Sequence, residues 1–291
     1  MRDVGPDERG RLFEQAREWS RRAETWVEAD RLWVRVIDAY RQAVPGPARP
    51  DRHDQQQLAR ALRRRGMLLC VRGRAAEGMA PGGEAVAILE RVYDAVAAEG
   101  GNAAASPRDD ALAELITALT DLAEVAFVAG QPATRRELLS RAVAVGLTAV
   151  GSPPSAGPRT QRAMGTAYHH QAAALLHRHL TRPSSLDGLR EAVLAASRAC
   201  ELRQALRDPA RPLSLRELAD TYGVYARCLA VIGDVERAGV VLALGNQLVP
   251  LLGSAAGQST ENLRVAAELL GRDAVPTGGV AGARRFPWRR R

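Results

Sequence analysis

The chain has 291 residues, 46% hydrophobic and only 4% aromatic, with a formal net charge of +8. Abundant alanine, leucine and arginine with few aromatics favour long helices over sheets, so the expected fold class is all-α, with ample apolar material for burial. No lysine occurs anywhere, which excludes a P-loop, Schiff-base or kinase-type lysine, because a delocalised and permanently charged guanidinium cannot stand in for an amine.

The N-terminal stretch MRDVGPDERGRLFEQ has no apolar core of signal-peptide length, and no run of eighteen apolar residues follows, so the expected location is cytoplasmic. From Asp7 to Val44 two rows of residues step by seven: Leu12, Trp19, Trp26, Trp33 and Tyr40, then Ala16, Ala23, Asp30, Ile37 and Val44. Together they make the alternating seam of a packed helix, either one helix of roughly 57 Å or a hairpin. Ala29 and Val36 favour the hairpin, with Thr25 and Glu28 as a capping box opening a second helix at Trp26. A tryptophan stripe at helical spacing reads as core rather than as a ligand box.

GPARPDRHD, residues 46 to 54, is a polar linker with two prolines. The stretch from Arg60 to Val92 then reads as two amphipathic helices joined by a tight turn. Gly66 offers a side-chain-free contact, Gly73 can take the positive φ that ends the first helix, and Gly78 and Ala85 lie where the second helix must approach closely. Pro81, followed by Gly82 and Gly83, predicts a local kink. GGNAAASPRDD leads to Ala123, Gly130, Arg135 and Ala142, the same seven, five, seven spacing with arginine at one small position. VGSPPSAGPRT leads to a fourth hairpin in which Ala192, Ala196 and Ala199 keep only the second-helix pattern, after the longer turn TRPSSLDG. RDPARP precedes LSLRELADTYGVYARCL, with Ser214 and Glu217 as a capping box. Ala226, Gly233, Ala238 and Gly245 repeat the spacing once more before Pro250, and NLRVAAELLG is a terminal helix expected to cap the array. Beyond Gly271 the sequence lacks periodicity and reads as a disordered tail.

These spacings resemble the tetratricopeptide-repeat (TPR) family, most strongly in GRAAEGMAPGGEAVAILERV. The resemblance implies stacked antiparallel helical hairpins in a right-handed solenoid of about 10–11 helices, over residues 1–271, followed by a disordered basic tail at 272–291. Gly73 and Gly130 are 57 residues apart, against about 34 in the family, because the helices are longer. In such arrays the first helix of each hairpin lines a concave surface that binds extended peptides. Carried over by register, that surface includes Arg60, Arg63, Met67 and Cys70, then Thr117, Thr120, Glu124 and Phe127, then Asp220, Gly223 and Arg227. Arginine there can fork onto a partner's carboxylate.

Little else suggests chemistry. His169, His170, His177 and His179 crowd YHHQAAALLHRH, yet no two are three or four residues apart, so a polar helix face fits better than a metal site. His170 and His177 share one face and can line the groove. Cys70, Cys200 and Cys228 have no paired spacing and read as small buried hydrophobes in a reducing compartment. No nucleophile–base pair, carboxylate pair or glycine-rich phosphate loop is present, and no catalytic, cofactor or metal site is expected. Arg284, Arg285, Arg289, Arg290 and Arg291 lie in the last eight residues, and removing them lowers the net charge from +8 to +3. With Phe286 and Trp288 they suit nucleic acid or an anionic membrane, although a solvated end is the simpler reading. The function expected is that of a non-enzymatic protein- or peptide-binding adaptor, the alternative being a nucleic-acid-associated module acting through its tail.

Overall fold

The computed structural model describes residues 5–43, 51–99, 105–151, 156–182, 186–252 and 259–271. Among them are eleven α-helices and no strand, as the composition predicts. The chain divides into two compact units, residues 1–141 and 142–285. No helix is long and apolar enough to cross a membrane among the described residues.

The first unit opens with α1 (Pro6–Trp19), a 3-10 turn (Ala23–Thr25) and α2 (Trp26–Ala43), so residues 7–44 form a hairpin. Two residues of the tryptophan row close it. Trp33 Nε1 donates to Ser20 Oγ at 2.9 Å and Trp26 Nε1 to the Ser20 carbonyl at 3.1 Å, the second satisfying a backbone acceptor that the helix end leaves free. Trp33 is fully buried and meets Phe13 edge-on, 5.1 Å between ring centres. The expected Thr25–Glu28 box does not form. The Thr25 hydroxyl donates backwards to the Trp19 carbonyl at 2.5 Å, because the intervening turn brings that carbonyl within reach.

Next come α3 (Arg52–Val71), α4 (Ala75–Glu99), α5 (Ala105–Val128) and α6 (Pro132–Val150), of which residues up to 141 belong to the first unit. The turn after α3 is built as the spacing requires. Gly73 has φ +77°, and the N–H of Arg74 reaches the Leu69 carbonyl at 2.8 Å, a left-handed helix stop that spares a Cβ. Gly130 (φ +77°) and Gly233 (φ +92°) repeat it, with Gln131 N–H on Ala126 O at 2.8 Å and Asp234 N–H on Leu229 O at 2.9 Å. α4 runs unbroken through Pro81, which lies inside the helix rather than at its start. Gly82, beside it, faces Leu122 of α5.

The second unit contains α7 (Pro158–Thr181), α8 (Leu186–Ala205), α9 (Pro212–Ile232), α10 (Val235–Leu248), a 3-10 turn (Val249–Leu251) and α11 (Ser259–Leu269). α7 packs against α8 and α9 against α10, with Ala192, Ala196, Ala199, Ala226 and Ala238 fully enclosed. Several prolines open helices instead of breaking linkers. Pro132, Pro158 and Pro212 are the first residues of α6, α7 and α9, where a missing N–H costs nothing and φ is already helical. That geometry also displaces the expected Ser214–Glu217 box: α9 is capped at Arg211 without a side-chain bond, and Ser214 Oγ accepts the Asp208 N–H at 3.2 Å instead.

Candidate functional site

In the first unit the face in question is formed by α3 and α5, the first helices of consecutive hairpins. Arg60 Nε donates to Glu114 Oε1 at 3.1 Å, and Arg63 Nη1 to Asp121 Oδ2 at 3.1 Å. The two arginines expected to await a partner's carboxylate are therefore already used between neighbouring helices. Arg63 retains a buried Nε with no hydrogen-bond partner. Arg64, which sequence reasoning left out of the surface, is exposed and among the described residues has no ion pair. Desolvation, then the charges of Arg63 and Arg17, lower its pKa against the pull of Asp121 and Glu114.

Other expected contacts turn elsewhere. Thr120 is buried and its hydroxyl donates to the Ile116 carbonyl at 2.8 Å, so it is no surface contact. Half-buried Thr117 does likewise to Ala113, at 2.7 Å. Met67 packs against the cluster of Cys70, Ala75 and Val125. Glu124 and Phe127 are both engaged by Arg135, the arginine at the family's small position. Its guanidinium lies 4.1 Å from the Phe127 ring centre and 2.8 Å from Glu124 Oε1. A planar cation can stack and fork at once, which lets a large residue replace a small one.

A second network was not legible from repeat spacing. Asp30 of α2 is buried and takes Arg65 Nε at 2.9 Å, Arg72 Nη1 at 2.6 Å and Arg74 Nη1 at 3.3 Å. Three guanidiniums of the following hairpin thus converge on one carboxylate.

In the second unit α7, α9 and α11 are joined by polar side chains. Buried His169 places Nδ1 3.2 Å from Thr221 Oγ1 and Nε2 3.4 Å from Asp220 Oδ2. Asn262 of α11 donates from Nδ2 to Asp220 Oδ1 at 2.5 Å and accepts from Arg227 Nη1 at 2.7 Å. Arg203, buried on α8, donates to the Glu217 carbonyl at 2.8 Å and to the Thr221 hydroxyl. Asp220 and Arg227 thus do come together, through a residue that sequence reasoning had not singled out. His170 is half-buried with its ring edge-on to His169, whereas His177 is exposed. No group of three metal-ligating side chains occurs among the described residues. Arg284, Arg285, Trp288, Arg289, Arg290 and Arg291 lie outside the described residues.

No protein-family model matches the chain, and no curated protein does. Among solved structures it is similar to a Podosopora anserina protein of nearly identical TPR-like repeats, named after the kinesin light chain. One such structure shows 18% identity over 81% of this chain and 92% of the other, with a TM-score of 0.49. A second shows 17% identity over 84% and 96%, with a TM-score of 0.46. In fold, the glycine-stopped hairpins and their enclosed alanines make this chain TPR-like.

Proposed function

We propose that the chain is a non-enzymatic adaptor of the cytoplasm, whose residues 1–271 act as one helical-repeat domain that binds a protein or peptide along the faces of its first helices. The observation supporting this is that Arg64 is exposed on α3 and has no ion pair among the described residues, while its neighbours Arg60 and Arg63 are paired. Arg17 and Arg63 already have Glu14 and Asp121 as partners, so Arg64 is the guanidinium open to fork onto an anionic group from outside. Arg60 and Arg63 then orient α3 through Glu114 and Asp121, while Arg64 meets the acidic side chain or terminus of the partner.

The test compares proteins captured from native extract by immobilised wild type, Arg64→Glu and Arg91→Glu. Arg91 is also exposed, but on α4, so it controls for charge alone. Partners kept by Arg91→Glu and lost by Arg64→Glu are expected; equal recovery by all three removes the α3 face from the reading.

A further inference from the structure

Within each unit successive hairpins follow one packing rule. The first helix of a hairpin lies chiefly against the second helix of the preceding hairpin and only secondarily against its first: α5 on α4 before α3, and α9 on α8 before α7. α11 inverts the rule, packing most extensively on α9 and slightly on α10. It does not continue the stack. It crosses the very face of α9 that the register assigns to a ligand.

The crossing is close. A Cβ on Gly223 would lie 2.6 Å from Asn262 Cβ and 2.8 Å from the Leu263 backbone nitrogen, so the helices meet with no room for a side chain. Asp220 and Arg227, one turn to either side of Gly223, hold the Asn262 amide from both ends. Leu263 fills the notch beside Gly245 and Tyr222. Asp220, Gly223 and Arg227 are therefore all engaged by α11.

The seat suits a removable occupant. α11 has 11 residues, too few for a stable helix on its own. Its fully enclosed apolar side chains are Leu263, Ala266 and Ala267. Arg264 is satisfied within α11 by Glu261 and Glu268. The Asn262 amide on α11 is neutral, and its donor and acceptor match a carboxylate and a guanidinium and can be reproduced by any asparagine or glutamine. The sequence leading to α11, GSAAGQ, contains no bulky apolar residue.

We propose that α11 is a detachable helix seated in the ligand-accepting face of the second unit, and that an amphipathic partner helix replaces it, presenting an amide to Asp220 and Arg227 and a leucine to the Gly245 notch. This rests on the partner-binding reading above, but its test uses no natural partner. The probe is a fluorescent peptide of residues 259–271, STENLRVAAELLG, titrated into full-length protein and read by anisotropy. Wild type should leave the peptide free, because its own α11 is in place. Leu263→Glu should expel α11 and bind the peptide saturably, and a peptide carrying Asn262→Ala should bind about tenfold more weakly, the loss expected for bonds to charged groups. Failure of a helical Leu263→Glu protein to bind overturns the proposal. Hydrogen exchange of wild type decides it independently should that variant not fold: α11 amides must exchange faster than those of α9, and equal protection overturns the proposal. Peptide binding by Leu263→Glu alongside unchanged partner capture by Arg64→Glu would uphold the detachable helix and remove the α3 face.

Discussion

Gly66 and Gly78 hold α3 and α4 backbone to backbone: a Cβ on Gly78 would lie 2.7 Å from the Gly66 carbonyl oxygen, and one on Gly66 3.0 Å from that of Gly78. Neither neighbour can yield easily, since both are main-chain atoms of helices, not the ends of flexible side chains. Gly78→Ala should therefore destabilise the first unit by about 1–3 kcal/mol, the usual range for overpacking. Gly83, in the same helix, faces open space, and there alanine should stabilise by up to about 1 kcal/mol through helix propensity. Urea midpoints that move in opposite directions are the expected result; a shared direction would show that α3 and α4 can separate without cost.

Asp30 fixes how α2 meets the next hairpin. Its side chain is 12% exposed and faces Arg65, Arg72 and Arg74, so Asp30→Ala leaves three guanidiniums converging on an empty position. Stranding a buried charge costs about 3–5 kcal/mol, and the lower end applies here because the arginines reach water. Arg74→Ala should cost far less, since that pair is the longest and Arg74 also bonds Glu77. Thermal melts of the two variants check the order.

What could be read from the sequence was steric. Gly73, Gly130 and Gly233 mark left-handed helix stops, and Ala85, Ala123 and Ala226 mark enclosed positions, because a missing or minimal side chain is a local requirement visible in one stretch of chain. The charged contacts were not legible in this way. Arg60 and Arg63 gave no hint of Glu114 and Asp121, 54 and 58 residues away, and an arginine cluster looks alike whether solvated or paired. Arg135 broke the small-residue pattern because its partner Glu124 lies on the facing helix, outside the pattern. Nor does amphipathicity in NLRVAAELLG say which neighbour its apolar side will cover, so the seat of α11 on α9 emerged only from the structure.

Asp220 should make stability depend on pH in the less usual direction. Burial raises its pKa, opposed by the Asn262 hydrogen bond and by the Arg203, His170 and Arg216 charges. With its side chain 31% exposed, the effect is smaller than full burial would give. A carboxyl whose pKa is higher folded than unfolded disfavours folding once ionised. The cost is absent below the unfolded value of about 3.9, grows as pH rises through the folded value, and is constant above it. Asp220→Asn removes that cost and keeps an oxygen to accept the Asn262 N–H. Its melting temperature relative to wild type should therefore be higher at pH 7 than at pH 3.5; a difference independent of pH would show that ionisation there costs nothing.

The three cysteines offer separate reporters for the two units. Burial pushes the Cys70 thiol up to about 11 and those of Cys200 and Cys228 up to about 12, and all three are buried and free. Since the thiolate is the reactive form, native protein at pH 8 should label slowly with a thiol reagent, and each cysteine should react only when its surroundings open. Cys70 lies in the first unit and Cys200 and Cys228 in the second. Pulsed labelling in increasing urea, read by peptide mass spectrometry, then follows each unit by itself. Gly78→Ala should lower the urea concentration at which Cys70 reacts, because Cys70 packs with Ala75 and Val125 beside the Gly66–Gly78 contact. Leu263→Glu should act on Cys228 of α9, which follows Arg227 of the α11 seat, and should leave the Cys70 curve in place. Rapid labelling of Cys200 or Cys228 in native wild type at pH 8 would show that the α8–α9 interior opens without unfolding, and would remove burial as the cause of their raised pKa.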